Sequence, residues 1–276
     1  MSPCYIRVLR DGQLHPVDYT AESLAAAAQH EPEDGVYTVT NTYNETQVLH
    51  FEAHLQRMED SAQRAGIDLN IDRPALRSAL RRMIEAADYG DVRLRVTVPR
   101  QTAHYILSLE PYTPPDPALI SHGVRAITVP DSARSNPAAK TTDWMHQRKQ
   151  IADSMPGGIY DAILLDHDGY MMEGLGANFY AIREGILRTA GAGVLPGIAQ
   201  KIVFAIAENI LPIKRKPVHV NEIPFLEEAF ITSSSRGIIP VTEIDGHSVG
   251  GGVPGSLTVR LITAYRAYVE DHLEEL

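Results

Sequence analysis

Two spacings of apolar residues alternate along the chain. Val36–Val39 and Thr46–Phe51 are rich in β-branched and aromatic residues, and Asn41, Asn44 and Glu45 between them predict a hairpin. From Glu52 the period lengthens: Leu55, Met58, Ala62 and Ala65 fall at helical spacing, and Gly66 marks the stop. A second helix is expected from Asp72, a good N-cap, with Pro74 in its first turn. It carries Leu76, Leu80, Met83, Ile84 and Ala87 on one side and ends before Gly90. The period then drops to two. Val92, Leu94, Val96 and Val98 alternate with Arg93, Arg95 and Thr97, which predicts a strand bearing both arginines on one face. His104–Leu109 reads as another strand. Pro111, Pro114, Pro115 and Pro117 follow, and prolines at this density predict a linker.

Beyond the prolines, Val124–Val129 reads as a strand and Asp143–Ser154 as a helix. Ile159–Leu165 is a strand that turns at Asp166–Gly169 into Tyr170–Glu173. Asn178–Ile182 and Ile186–Arg188 form a hairpin pattern about Glu184–Gly185. After Leu195–Pro196–Gly197 a helix is expected through Ile198, Ile202, Val203, Ile206 and Ile210, and Ser256–Leu273 is a closing amphipathic helix. Mixed strands and helices in two parts predict an α/β (α+β) protein. Its domains are a small one over 1–112, a linker over 113–118 and a larger one over 119–276.

Composition narrows the class. The 276 residues are 44% hydrophobic and 22% charged, an ordinary globular balance. The formal charge of -10 argues against a broad nucleic-acid surface. A single cysteine, Cys4, permits neither an intrachain disulfide nor a cysteine zinc cage. The opening residues lack the apolar core of a signal peptide, and no apolar run approaches a membrane span. A cytoplasmic protein with no membrane partner is the expectation.

Most candidate chemistry fails on its neighbours. His50 and His54 are spaced i, i+4, but Phe51 stands where a metalloprotease helix needs Glu, so they read as surface or capping histidines and no metal is expected. Ser233–Ser234–Ser235 lacks the nucleophile-elbow pattern. Three other features are complementary. Lys140 lies in a polar loop, Glu173 ends an apolar strand, and Gly197 opens a helix whose backbone N–H groups suit a phosphate. A lysine to form a Schiff base, a carboxylate to hold a pyridinium proton and a phosphate cradle are what pyridoxal phosphate requires.

These residues resemble the fold-type-IV pyridoxal-phosphate enzymes, the class IV aminotransferases. That family includes branched-chain, D-amino-acid and (R)-amine aminotransferases and aminodeoxychorismate lyases. The resemblance runs from Asp34 to about Gly246. His54–Leu55–Gln56–Arg57–Met58 is similar to the family's H-x-x-R-L helix, with Met58 in the Leu place. Glu173–Gly174–Leu175–Gly176–Ala177–Asn178 is similar to E-G-x-G-x-N-x-F, with Tyr180 in the Phe place. Leu195–Pro196–Gly197–Ile198 matches L-P-G-I-T-R up to Ala199 and Gln200, which replace Thr and Arg. The run from Glu228 to Ser235, with Pro240–Val241 and Asp245–Gly246 after it, resembles the closing block.

The resemblance implies a two-domain enzyme with its cofactor in the crevice between the domains, and a homodimer. Lys140 would be the Schiff-base lysine and proton shuttle, and Glu173 would hold the pyridinium N–H. Arg57, the N–H groups of Ile198 and Ala199, and Ser234 would serve the phosphate, with Asn178, Gly197 and Ser233 also binding the cofactor. Trp144 stands where many members carry a tyrosine near the cofactor. On the substrate side the resemblance implies Tyr37, Thr38, Arg95, Ser235 and Arg236. Arg93 and Arg95 fall where branched-chain enzymes carry a tyrosine and an arginine, which makes Arg95 the expected carboxylate partner.

The implied reaction is amino-group transfer between an amino acid, branched-chain-like, or a primary amine and a 2-oxo acid. One segment points elsewhere. Of the F-E-G-x-R pattern found in the branched-chain enzymes, Val36–Asn41 keeps only the aromatic. Thr38 instead resembles the threonine that assists proton transfer in aminodeoxychorismate lyases, so a lyase forming 4-aminobenzoate and pyruvate is the alternative. A non-catalytic cofactor-binding relative is a third reading, which the joint presence of Lys140, Glu173 and Arg57 opposes.

Overall fold

A computed structural model of the protein describes residues 4–102 and 104–276. It divides into two compact units. One comprises Met1–Thr113, Ala139–Gln147 and His272–Leu276, the other Pro114–Ala138 and Arg148–Asp271.

In the first unit the order is β1 (Tyr5–Arg10), β2 (Gln13–Pro16), α1 (Leu24–Ala27), β3 (Gly35–Tyr43), β4 (Gln47–Leu49), α2 (Phe51–Ala65), α3 (Arg73–Ala87), β5 (Val92–Pro99) and β6 (Tyr105–Pro111). The strands form an antiparallel sheet in the order β4-β3-β5-β6-β1-β2. Its core face presents Val36, Leu94, Val96, Val98 and Leu107. These pack against Phe51, Leu55, Met58 and Ala62 of α2 and Leu76, Leu80 and Met83 of α3. The two helices match the expected ones. Gly66 closes α2 at φ 67, a left-handed value that glycine adopts without strain, and the Asp72 carboxylate caps α3 by accepting from the Ala75 N–H at 3.0 Å.

Several boundaries differ from the sequence pattern, and the helix expected to run through Ile210 ends at Ala207. The strand expected over Thr46–Phe51 ends at Leu49, because Phe51 is fully buried as the first residue of α2. The strand after Arg100 runs on through Pro111, whose missing N–H is tolerated at a strand end. Pro117 opens a short helix, α4 (Pro117–His122), capped by Asp116. The second face of β5 is covered too: Arg95 is buried under the segment 24–31.

The second unit adds β7 (Val124–Val129), α5 (Thr142–Ser154), β8 (Asp161–Leu165), β9 (Met171–Gly174), β10 (Asn178–Arg183), β11 (Ile186–Arg188), α6 (Ile198–Ala207), β12 (Ile213–Lys214), β13 (Glu228–Ser233), β14 (Gly237–Ile244), β15 (His247–Ser248) and α7 (Ser256–Asp271). The first turn and a half of α5 belongs to the first unit. The strand order is β12-β11-β10-β13-β14-β7-β8-β9, and a further pairing of β9 with β10 closes six of the strands into a ring. A closed ring leaves no free edge among those six. One face of it packs Phe179, Ala181, Ile231, Ile239 and Val241 together. The opposite face carries Asn178, Tyr180 and Thr232, since residues alternate along a strand.

Two stretches beyond the prolines rejoin the first unit. The Tyr37 N–H donates to the Lys140 carbonyl at 3.1 Å, and Thr141 bridges Val36. The C-terminal segment, expected to stay helical to Leu273, instead leaves α7 to form β16 (Leu273–Glu275) on β4. Among the described residues no helix is long and apolar enough to cross a membrane.

Candidate active site

Helix α2 places His54, Arg57 and Ser61 on one face at i, i+3 and i+7, and all three are buried. Ser61 is the hinge of the arrangement. Its hydroxyl donates to the Arg57 carbonyl at 2.7 Å and accepts the Lys140 N–H at 3.1 Å. Together with the Tyr37–Lys140 backbone bond this pins Lys140 against the edge of β3. The Lys140 ammonium nitrogen then lies 4.5 Å from the centre of the Tyr37 ring. On the opposite face of β3, Thr38 Oγ1 is 2.8 Å from His54 Nδ1 and accepts from Arg57 Nη2 at 3.3 Å.

Arg57 is 7% exposed, and among the described residues no carboxylate lies within ion-pair distance of it. Burial lowers its guanidinium pKa to about 10, partly offset by Tyr37. An uncompensated buried cation costs several kcal/mol, a cost that an anion beside it would offset. His54 was expected to be a surface or capping residue and is instead fully buried, held well below the usual histidine pKa by that burial and by Arg57, Lys140 and His50. Trp144, in the first turn of α5, is buried as well.

In the second unit Glu173 and Asn178 are paired across β9 and β10, so their side chains share a face. Together they clasp residue 195: its N–H donates to Glu173 Oε2 at 3.1 Å, and Asn178 Nδ2 donates to its carbonyl at 2.9 Å. The other Glu173 oxygen is 3.6 Å from Arg134 Nη1, in a pair almost wholly shielded from water. Spacing gave no hint of Arg134. A basic residue six before the lysine was the only available signal. The clasp delivers the backbone to Gly197, where a Cβ would collide with Asn178 Oδ1 and force that side chain out of its place. Gly197 supplies no side-chain acceptor to α6, which leaves the Ile198 and Ala199 N–H groups for an anion at the positive end of the helix.

The turn from β13 to β14 holds Ser233, Ser234, Ser235 and Arg236. Arg236 Nε donates to Ser233 Oγ at 3.0 Å, and its guanidinium stands 5.4 Å from the Tyr160 ring centre and 4.0 Å from Asp161. Asp161 is buried and accepts the Leu175 and Ala162 N–H groups. Burial raises its carboxyl pKa, with Arg236 pulling the other way.

Arg95 shares with Tyr37 the face of the sheet opposite Thr38, and its donors are already engaged. Its Nε donates to Glu31 at 3.0 Å, its Nη1 to the Leu24 carbonyl at 2.5 Å and its Nη2 to Glu31, whose second oxygen accepts from Thr97 at 2.5 Å. The expected carboxylate partner already holds a carboxylate, one supplied by its own polypeptide.

The residues of each unit suit pyridoxal phosphate: in the first a buried arginine lacking an anion with a lysine beside it, in the second a helix N-terminus open to a phosphate and a buried carboxylate. The model of the family described as amino-transferase class IV matches residues 35–244. A D-alanine aminotransferase of Bacillus licheniformis is 31% identical over 245 residues, covering 84% of this chain and 86% of that protein. The T.th. branched-chain amino acid aminotransferase, solved with pyridoxamine 5'-phosphate, aligns with a TM-score of 0.82 at 19% identity over 98% of this chain and 97% of its own. That of Escherichia coli aligns at 0.79 and 20% identity over 99% of each chain.

Proposed function

Because the chain belongs to the class IV aminotransferase family, we propose that it transfers an amino group between an amino acid and a 2-oxo acid, with Lys140 as the residue that carries pyridoxal phosphate. The observation that supports this most is the buried Arg57 guanidinium, left without a carboxylate one helical turn from the serine that fixes Lys140. Bound pyridoxal phosphate supplies an electron sink for the carbanion left when the substrate loses its α-proton. The protein does the rest. Lys140 would take that proton from the substrate α-carbon on its side-chain nitrogen and hold it for return. Glu173, oriented by Leu195 and faced by Arg134, holds the proton on the ring nitrogen. By the family resemblance Arg57 in the first unit would serve the phosphate, and in the second unit the N–H groups of Ile198 and Ala199 and the Ser234 hydroxyl are the candidate phosphate donors.

For the substrate carboxylate we assign Arg236 with Ser235 beside it, since Glu31 occupies the donors of Arg95. The transaminase is favoured over the lyase by Thr38, whose hydroxyl is already committed to His54 and Arg57. By the family resemblance we also propose a homodimer, which light scattering of the purified protein tests.

The half-reaction is the test. Purified enzyme is mixed in turn with L-leucine, D-alanine and an (R)-arylamine, and conversion of the bound cofactor to pyridoxamine phosphate is followed by absorbance. One of these donors should convert it, and Lys140→Ala should abolish both the borohydride-trappable chromophore and turnover. Failure of every donor, with 4-aminobenzoate and pyruvate appearing from aminodeoxychorismate, would replace the transaminase by the lyase.

A further inference from the structure

Within the first unit, the buried contacts of Thr38 have a direction. Arg57 can only donate, so at their 3.3 Å contact the Thr38 oxygen accepts. Thr38 is fully buried, and among the described residues the one other group at hydrogen-bond distance from its hydroxyl is His54 Nδ1 at 2.8 Å. If Nδ1 also donated to that oxygen, the hydroxyl proton would be buried with no acceptor, an arrangement that costs free energy. The consistent assignment is a one-way relay: Arg57 Nη2–H to Thr38 Oγ1, and Thr38 O–H to His54 Nδ1, with the ring proton on Nε2. A hydroxyl that donates onward is a better acceptor, so each bond strengthens the other.

We propose that Thr38 and His54 are positioning residues that aim the Arg57 guanidinium at the cofactor phosphate. The inference rests on the phosphate role of Arg57 proposed above. Three features support it. Among the described residues the guanidinium has no carboxylate to orient it, whereas Arg95 on the neighbouring strand is held by Glu31. Among the described residues, the guanidinium's hydrogen bond to a side chain is the one it donates to Thr38. His54 and Arg57 sit one turn apart on a helix locked into the core by Phe51, Leu55 and Met58, so the relay is anchored at its far end.

The experiment compares two affinities. Full-length protein cleared of cofactor is titrated with pyridoxal phosphate and with pyridoxal, which lacks the phosphate, and the ratio of the two dissociation constants is read. Thr38→Val keeps the shape and removes the hydroxyl; it should weaken pyridoxal phosphate by about tenfold and leave pyridoxal unchanged. Thr38→Ser should restore the ratio to within about twofold, and His54→Leu should reproduce the valine effect while His54→Asn, which keeps an acceptor near Nδ1, retains most of the affinity. Arg57→Gln is the control for the underlying reading. If it leaves the ratio unchanged, the phosphate role itself is wrong. If it collapses the ratio while Thr38→Val and His54→Leu do not, or if these two weaken both ligands equally, the relay alone is overturned. Should Thr38→Val fail to fold, the His54 pair decides by the same ratio.

Discussion

A single buried side chain, Arg57, links stability to function. In the cofactor-free protein its charge is desolvated with no acid beside it among the described residues. Replacing an unpaired buried ion with an apolar group of similar volume removes the cost of its desolvation. Arg57→Met is therefore expected to hold or raise the melting temperature of the cofactor-free protein while weakening pyridoxal phosphate at least about tenfold, because the proposed charge-assisted contact to the phosphate would be gone. Calorimetry beside a cofactor titration checks both. A variant that loses stability and affinity in parallel would show that Arg57 is structural.

Among the elements, β5 departs most from its sequence pattern. Alternation placed Arg93 and Arg95 on a face open to solvent or substrate, yet Glu31 and the Leu24 carbonyl cover Arg95. Removing one member of a buried pair leaves the other charge uncompensated, at a cost of about 3–5 kcal/mol. Glu31→Gln should accordingly lower the melting temperature by about 10 °C. Glu31→Leu combined with Arg95→Met should recover most of that loss, because both charges then leave the interior. Loss of stability in the double variant as large as in Glu31→Gln would mean that packing of the segment 24–31, not charge pairing, sets the cost. The strand alternation was correct; what it did not contain was the element that folds over its polar face.

At the scale of the whole molecule, acid is expected to act through His54. Its folded-state pKa lies well below the ordinary 6.5, and Arg57, Lys140 and His50 are the charged and titratable groups that face it, with no acid among them. The sign follows from linkage. Near pH 6.5 the unfolded protein takes up a proton that the folded protein refuses. The stability associated with neutral His54 is thus complete above that pH and is lost progressively as pH falls below it. Denaturant titrations at several pH values should show this decline in the native protein and a shallower one in His54→Asn. An identical pH profile in the variant would exclude His54 as the group responsible.

Much was legible from spacing. Leu55, Met58 and Ala62 marked α2, Asp72 and Pro74 marked the start of α3, and the period-two run from Val92 marked β5, because local backbone preference and one-sided burial leave a regular trace. The motifs around Arg57, Lys140, Glu173 and Leu195–Pro196–Gly197 carried the family for a related reason: close approach of backbone to an anion demands particular residues at fixed intervals. Nothing local could show that β16 joins β4 from the far end of the sequence, or that β9, already paired with β8, also pairs with β10 to close a ring. Nor could spacing tell that Arg95 meets Glu31 64 positions away or that Arg134 faces Glu173. His54 illustrates the division most sharply. Its place on a helix was readable, but its burial against Thr38 and Arg57 was not, because whether a polar side chain lies in water or in the core is decided by which strand the helix packs upon.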